Sequence, residues 1–170
     1  MTTTTTGYIE AKPSNARKDA IDAFASKVAT QLGYTAGAPL HPIVEKLGGH
    51  IYYERLEALA SASILVRRQG DFDIFLPHDT SAERDRFSIA HELGHYVLHF
   101  PISGQQPMMA QRFGSTRVEW EANWFAAGFL MPAADFKDRF VDRSSLPAVA
   151  RHFGVSMAAA EARAKALGRL

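Results

Sequence analysis

The chain has 170 residues, of which 46% are hydrophobic and 22% charged, a composition that is typical of a globular protein and excludes a disordered or collagen-like chain. It contains no cysteine, which excludes disulfides, thiolate metal sites and cysteine nucleophiles. The formal net charge of +1 predicts no strong attraction of the whole molecule to nucleic acid or to an anionic membrane.

The predicted elements begin with a polar lead. Residues 1–15 start with a threonine run and are low in apolar content, so we expect a flexible segment. No stretch approaches the roughly eighteen apolar residues of a membrane span, and the lead does not have the pattern of a signal peptide. We therefore expect a cytoplasmic protein with no membrane partner.

The next part of the chain predicts two helices and then a small sheet. Residues 16–32 carry apolar side chains every three or four positions, at Ile21, Phe24, Val28 and Leu32. This spacing is typical of an amphipathic helix. A shorter helix fits residues 41–47, with Pro42 in its first turn. Runs of β-branched and aromatic residues then predict short antiparallel strands at 50–54, 63–67 and 72–76.

The second half of the chain predicts mainly helices. A capping box formed by Thr80 and Glu83 opens a helix that extends to about residue 99. Residues 101–116 predict a loop, and residues 118–131 predict an almost wholly apolar and therefore buried helix. Short helices follow at 133–140, 145–153 and 157–167. We divide the chain into the lead, a core over 16–140 and a C-terminal subdomain over 141–170.

The first long helix carries the motif with the clearest chemistry, His91-Glu92-Leu93-Gly94-His95. Histidines four residues apart lie on one helical face, so both imidazoles can bind one small cation. Glu92 then lies beside the metal, where it can act as a general base on water. We expect zinc, because catalytic zinc sites use three protein ligands and leave one position open, although Mn²⁺ also fits this ligand set. The alternative is a helix with two incidental, partly exposed histidines.

A catalytic zinc site needs a third ligand. His99 continues the histidine spacing, but on an unbroken helix it lies about 12 Å along the axis from His91, so we expect it to support a ligand or to be a satisfied histidine near the helix end. Glu119 lies in the buried helix, where a carboxylate is costly unless it is paired or binds a metal. We predict Glu119 as the third ligand and Asn123, one turn later, as the residue that holds a ligating histidine. The alternative for Glu119 is a water-facing carboxylate at the helix start, and this is what we expect for Glu121.

The same helix indicates how closely the two helices pack. Ala122 and Ala126 share the face of Glu119, and these small side chains allow a close approach. The aromatic residues of the helix are expected in the core, namely Trp120, Trp124, Phe125 and Phe129.

Three stretches of the sequence form a recognisable pattern. The first is Arg86-Phe87-Ser88-Ile89-Ala90-His91-Glu92-Leu93-Gly94-His95, with His99 following. The second is Glu119-x-x-Ala122-Asn123-x-Phe125-Ala126-Ala127, closing on Leu130-Met131-Pro132. The third is Val149-Ala150-x-x-Phe153-Gly154-Val155-Ser156, followed by Arg163 and Leu167-Gly168. Over residues 40–168 the chain thus resembles the ImmA/IrrE family of bacterial and phage metallopeptidases.

The resemblance implies an α+β, minimal zincin-like (gluzincin) fold, in which a small antiparallel sheet packs on a helical core and zinc lies between two helices. It implies zinc binding by His91, His95 and Glu119, with Glu92 as the general base. It also implies a metalloendopeptidase that cleaves a helix-turn-helix repressor in stress response, phage or mobile-element control, or toxin–antitoxin control. The first predicted helix is single and precedes no recognisable helix-turn-helix, so we expect the repressor to be a separate chain.

Some features of the reaction stay open at this level. We expect Glu92 to take a proton from the attacking water and to pass it to the leaving amine. The sequence does not choose an oxyanion donor among Tyr52, Tyr53, Tyr96 and His152. An extended substrate could add to an exposed edge of the sheet or lie on the 101–116 loop.

Two other functions compete with proteolysis. Residues 146–167 resemble a helix-turn-helix with Gly154 in the turn and Arg163 on the second helix, but Glu161 and the alanines at 158–160 are poor groove-reading side chains, so we expect no direct nucleic-acid binding. A latent or non-proteolytic zinc-binding sensor, or partner of a transcriptional regulator, has the same ligands. Glu92 favours catalysis, because a purely structural site has no use for a base.

Overall fold

The computed structural model describes residues 6–55, 62–111 and 114–170. Its strands are β1 (Ile9–Glu10), β2 (Gly49–Glu54), β3 (Ala62–Arg68), β4 (Asp71–Pro77) and β5 (Met108–Gln111). Its α-helices are α1 (Lys18–Gln31), α2 (His41–Lys46), α3 (Ala82–Gly94), α4 (Arg117–Leu130), α5 (Ala133–Arg139), α6 (Leu146–Phe153) and α7 (Met157–Ala166). The α+β class and the small zincin-like fold are confirmed. Within the described residues no helix is long and apolar enough to cross a membrane.

The strands form one mixed sheet in the order β1-β5-β3-β4-β2. β3 and β4 pair antiparallel, with Ile64 opposite Ile74, as the sequence predicts. β2 lies beside β4 and runs parallel to it, so the sheet is mixed where the sequence predicts antiparallel pairing throughout. The chain reverses twice between β2 and β4, which leaves these strands pointing the same way, and strand composition does not determine which neighbour β2 selects.

β5 lies in the 101–116 segment, so the predicted loop is wrong for residues 108–111. β5 pairs antiparallel with β3 and parallel with β1, where Ile9 lies opposite Met108. β1 belongs to the predicted flexible lead, and the backbone N–H groups of Ser14 and Asn15 in the same lead donate hydrogen bonds to Glu121. Residues 1–5 of the threonine run and residues 112–113 of the predicted loop lie outside the described residues.

One hydrophobic core joins the sheet to the helices. Phe72 and Ile74 of β4 share it with Phe125 and Phe129 of α4 and with Phe153 of α6. Side chains on both sides of residue 140 thus belong to the same core. The division into a core over 16–140 and a C-terminal subdomain over 141–170 stays a prediction.

α1 packs on α4 through small side chains. Its fully buried positions are Ile21, Ala25 and Ala29, whereas Phe24 of the predicted apolar stripe is 41% exposed. Ala25 lies against Gly128 of α4, which is why the buried face is rotated towards the alanines. Alanine and glycine let the two helix backbones approach closely.

α6 and α7 form the helix–turn–helix-like pair that the sequence suggests, but α7 is turned into the protein. Arg163 is 3% exposed; its guanidinium pairs with Asp22 of α1, and its Nε donates to the carbonyl of Met131 at 3.0 Å. A recognition helix must present its side chains to a DNA groove. Arg163, on which the DNA-binding alternative depends, is therefore unavailable to a nucleic acid.

Candidate metal centre

α3 carries the histidine motif and is held by contacts in its N-terminal half. Ser81 caps it, since its Oγ accepts a hydrogen bond from the backbone N–H of Arg84 at 3.2 Å; the predicted cap at Thr80 is one residue too early. Arg86 donates to the carbonyls of Gly37 and Ala38 at 3.0 Å each, which ties α3 to the loop after α1. After Gly94 the helix widens into a π-helical turn, His95–His99, a geometry often found at functional sites.

α4 crosses α3 at the motif itself. A Cβ placed on Gly94 would lie 3.2 Å from the Cα of Ala122 and 3.2 Å from the Cβ of Phe125. The predicted close approach of the two helices is thus found at Ala122, which is fully buried. This contact brings Glu119, one turn earlier on α4, towards the histidines.

His91, His95 and Glu119 converge in the structure, with one donor atom from each lying within 4.8 Å of the others. The Nε2 atoms of His91 and His95 are 3.1 Å apart. The carboxylate of Glu119 lies 3.0 Å from Nε2 of His91 and 3.3 Å from Nε2 of His95. This group could hold a metal ion.

The spacing of the donor atoms suits a small tetrahedral cation. Bonds of about 2.0–2.2 Å to nitrogen and oxygen require donor atoms about 3.3 Å apart in a tetrahedron. The Nε2 atoms of His91 and His95, 3.1 Å apart, are close to that value. The two oxygens of Glu119 lie one beside each imidazole, Oε2 at 3.0 Å from His91 and Oε1 at 3.3 Å from His95. The side chain of His95 is fully buried and those of His91 and Glu119 are 15% and 12% exposed, so the group is open on one side only.

The pKa shifts of His95 and Glu119 suit a metal, whereas that of His91 favours its charged form. Burial lowers the pKa of His95 to about 4, which keeps this imidazole neutral. Burial alone would raise the pKa of Glu119, but the adjacent imidazoles of His91 and His95 outweigh this and lower it to about 2. Burial lowers the pKa of His91, yet its hydrogen bond with Glu119 and the nearby charge of Glu92 outweigh this and raise it. At neutral pH the site offers an ionised carboxylate and a neutral imidazole, the forms that bind metals.

Glu92 and Asn123 lie beside this group. Glu92 follows His91 on α3 and is only 5% exposed. Oδ1 of Asn123 lies 2.9 Å from Nδ1 of His91, as expected for an amide that holds this histidine. A hydrogen on Nδ1 leaves the lone pair on Nε2, which faces Glu119.

His99 contacts His95 rather than joining the group of His91, His95 and Glu119. Its Nδ1 lies 2.9 Å from Nδ1 of His95, and its Nε2 lies 3.0 Å from Oε2 of Glu121. Both histidines are fully buried. This position fits the expected supporting role of His99.

Glu121 is the functional candidate that the sequence interpretation missed. We expected it to face water, and this is wrong because the residue is fully buried. Burial raises its pKa, but hydrogen bonds from Arg117, Ser14 and His99 outweigh this and lower it to about 2. The spacing of Arg117 and Glu121, four residues apart on one helix, could have indicated an ion pair.

The prediction that all aromatic residues of α4 lie in the core is also wrong for Trp120. Its side chain is 50% exposed, whereas Phe125 and Phe129 are fully buried. Trp124 is partly buried and receives the guanidinium of Arg117, whose Cζ lies 4.8 Å from the ring centroid.

The four candidate oxyanion donors have partners elsewhere. The hydroxyl of Tyr96 accepts from the backbone N–H of Gly70 at 2.9 Å, and that of Tyr53 lies 2.8 Å from Nε2 of His41. Nε2 of His152 lies 3.2 Å from Asp135. The ring of Tyr52 stacks on Phe75 and is 46% exposed. The choice among them stays open.

A groove with a volume of about 1100 Å³ opens beside Asn123. Its walls come from α1, α3, α4 and α7, and its lining combines apolar side chains with several charged ones; His91, His95 and Glu119 do not line it. The lining includes Phe87, Trp124, Ala127, Ala162 and Arg84. A groove of this size next to a candidate centre can hold several side chains of a peptide.

Comparison with known proteins agrees with this geometry. The sequence matches the family model Peptidase_M78, described as IrrE N-terminal-like domain, over residues 44–165. No curated protein matches the chain significantly. Among solved structures, the fold is similar to a Mycobacterium tuberculosis transcriptional regulator, with a TM-score of 0.55 and 21% sequence identity.

That likeness covers 86% of this chain and 47% of the regulator, so the chain spans about half the length of that protein. At this identity the similarity shows a shared fold alone. The family match extends over more than half of the chain and includes both helices of the candidate centre. The resemblance predicted from the sequence is thereby confirmed, and the chain belongs to the IrrE N-terminal-like family of peptidases.

Proposed function

We propose that this chain is a zinc-dependent endopeptidase that cleaves a regulatory protein of the helix-turn-helix repressor type, supplied as a separate chain in the cytoplasm. The observation that carries the proposal is the convergence of His91, His95 and Glu119, with Glu92 directly after the first histidine. Membership of a peptidase family supports hydrolysis of a peptide bond. The association of the ImmA/IrrE family with repressors supports the substrate class.

Two imidazoles and one carboxylate are a donor set typical of catalytic zinc sites, which keep a further position open. Zinc held by these residues would act as a Lewis acid towards the peptide carbonyl and would lower the pKa of a bound water molecule. The convergence of the three side chains supports this assignment, because one donor atom from each already lies within 4.8 Å of the others.

The protein's own groups supply the proton transfers and the orientation. Glu92, nearly buried beside His91, takes a proton from the attacking water and delivers it to the leaving amine. Asn123 accepts a hydrogen bond from Nδ1–H of His91 and so directs Nε2 of that ring into the site.

We propose that the substrate lies in the groove beside Asn123. The edge of β5 is already paired with β1 at Ile9–Glu10, so strand addition to that part of the sheet would require β1 to leave. The groove needs no such change, and its apolar lining suits the side chains of a repressor segment exposed by local unfolding.

Metal content tests the centre directly. Elemental mass spectrometry should give about one zinc per chain for the wild type and for Glu92→Gln. Zinc should be lost in Glu119→Ala, because Glu119 is a proposed ligand and Glu92 is not. Glu45→Ala, which removes an exposed helical carboxylate, is the matched control and should retain zinc. Absence of stoichiometric metal after reconstitution with zinc would refute the proposal.

Cleavage tests the substrate class. Wild-type protein with zinc should cut a repressor encoded beside its own gene, and Glu92→Gln should bind that repressor without cutting it. A zinc-loaded wild type that binds the repressor and leaves it intact would contradict proteolysis and favour a metal-binding partner protein. Cleavage that persists at the wild-type rate in Glu92→Gln would refute the role of Glu92.

A further inference from the structure

A buried hydrogen-bond chain connects the N-terminal segment to the candidate metal centre. The carboxylate of Glu121 accepts hydrogen bonds from the backbone N–H of Ser14 at 2.8 Å, from the hydroxyl of Ser14 at 2.8 Å and from the backbone N–H of Asn15 at 2.9 Å. Nε of Arg117 donates to it at 2.9 Å. The chain continues from Glu121 to His99 and from His99 to His95.

The N-terminal segment is shaped for this contact. Asn15 has φ of +59°, a left-handed conformation that asparagine tolerates better than most residues, and it turns two successive N–H groups towards one carboxylate. Arg117 connects the N-terminal segment to Glu121, because its Nη2 donates to the carbonyl of Ala16 at 2.6 Å while its Nε donates to Glu121. Residues 14–16 therefore hold the carboxylate of Glu121 in place beside His99.

These contacts determine where the hydrogens lie. Backbone N–H groups and a guanidinium can only donate, so both carboxylate oxygens of Glu121 act as acceptors. Nε2 of His99, 3.0 Å from Oε2 of Glu121, must then carry a hydrogen. In neutral His99 the lone pair lies on Nδ1, so Nδ1 of His95, 2.9 Å away, must be the donor. Neutral His95 thus keeps a lone pair on Nε2, the atom that faces His91 and Glu119.

We propose that Glu121, held by residues 14–16, is a positioning residue that fixes the tautomers of His99 and His95 and so prepares Nε2 of His95 to bind the metal. The inference rests on the proposed function, because it takes His95 as a ligand. It adds that a segment about eighty residues away in the sequence sets the state of this ligand.

The tautomers can be measured without metal. In long-range ¹H–¹⁵N spectra of the full-length, metal-free protein at neutral pH, His99 should show the Nε2–H form and His95 the Nδ1–H form. In Glu121→Gln the amide can both donate and accept, so both rings should lose their single tautomer, and zinc affinity should fall about 10- to 100-fold. The wild-type spectrum with the opposite tautomers would overturn the inference.

The structure offers a matched control. Asp135 lies 3.2 Å from Nε2 of His152, outside the candidate centre, so Asp135→Asn makes the same carboxylate-to-amide change beside another histidine. It should leave the signals of His95 and His99 and the zinc affinity unchanged. An equal loss of affinity in both variants would mean that Glu121 acts through general stability, and this would overturn the inference.

A second pair of variants keeps the test decisive if Glu121→Gln does not fold. Glutamine at position 99 can accept from His95 and donate to Glu121, whereas leucine can do neither. His99→Leu should lose zinc affinity, and His99→Gln should recover most of that loss together with the Nδ1–H form of His95. Equal zinc affinity in the two variants would refute the proposed connection from Glu121 through His99 to His95. If wild-type protein binds no zinc, the proposed function fails, and the spectra of the metal-free protein still decide the tautomers.

Discussion

Asn123→Ala removes the acceptor that faces Nδ1 of His91 and should weaken metal binding without weakening the fold. The two atoms are 2.9 Å apart, and no described group other than Asn123 is hydrogen-bonded to Nδ1 of His91. Without this acceptor the ring can rotate and can place its hydrogen on Nε2, the proposed ligand atom. The ring must rotate back, or the hydrogen must return to Nδ1, before His91 can bind the metal.

The size of the effect follows from the position of the residue. Loss of a hydrogen-bond partner of a metal ligand costs about 10- to 100-fold in affinity, or about 1.4–2.7 kcal/mol. Asn123 itself is exposed at the surface of α4, so the free energy of unfolding of the metal-free protein should change by no more than about 0.5 kcal/mol. Asn123→Ala should therefore lower the affinity for zinc while leaving the free energy of unfolding nearly unchanged.

Competition titration against a chromophoric zinc chelator measures the affinity, and urea unfolding in the presence of a chelator measures the stability. Asn123→Asp keeps an acceptor at the same place and adds a charge, so it should bind zinc at least as tightly as the wild type. Wild-type affinity in Asn123→Ala would refute the argument. So would a parallel loss of stability large enough to account for the change in affinity.

Three further predictions concern the fold and its dependence on pH. Arg163→Met leaves Asp22 without its buried partner and should lower the free energy of unfolding by about 3 kcal/mol in urea titrations; a loss below about 1 kcal/mol would contradict a buried ion pair at this position. Gly48 has φ of +86°, and an added Cβ would lie 2.0 Å from the carbonyl oxygen of Gly70, so Gly48→Ala should lower the free energy of unfolding by at least about 2 kcal/mol. Gly70→Ala is its control, because φ there is +78° but no atom lies within 4 Å of the added Cβ; equal losses in the two variants would rule out the clash. The pKa of Glu121 is lowered from 4.5 to about 2, so its ionised form stabilises the fold above about pH 4.5 and this contribution is lost as the pH falls towards 2. The stability deficit of Glu121→Gln should therefore reach about 3 kcal/mol at neutral pH and shrink below about pH 4, and a deficit independent of pH would be the contrary result.

The local part of the structure could be predicted from the sequence. Helix periodicity and the stops at proline and glycine indicate the helices to within a few residues, as the predicted 118–131 and the observed Arg117–Leu130 show. The spacing of His91 and His95 depends only on the geometry of one helix turn, so the convergence of these imidazoles needs no knowledge of the fold. Glu119 could be inferred because a carboxylate on a buried apolar helix needs a partner.

Features that depend on distant partners required the tertiary structure. Helix geometry indicates that Glu121 points away from Glu119, but the sequence does not show that residues 14–16 and His99 cover that side and bury the carboxylate. The same holds for the place of β2 beside β4, since several strand orders satisfy the same hydrophobic pattern. The spacing of the candidate ligands and the family pattern could be predicted without the fold, because both are properties of short segments. The groups that surround the candidate ligands could not be predicted in this way, because burial and hydrogen bonding depend on segments that meet only after the chain has folded.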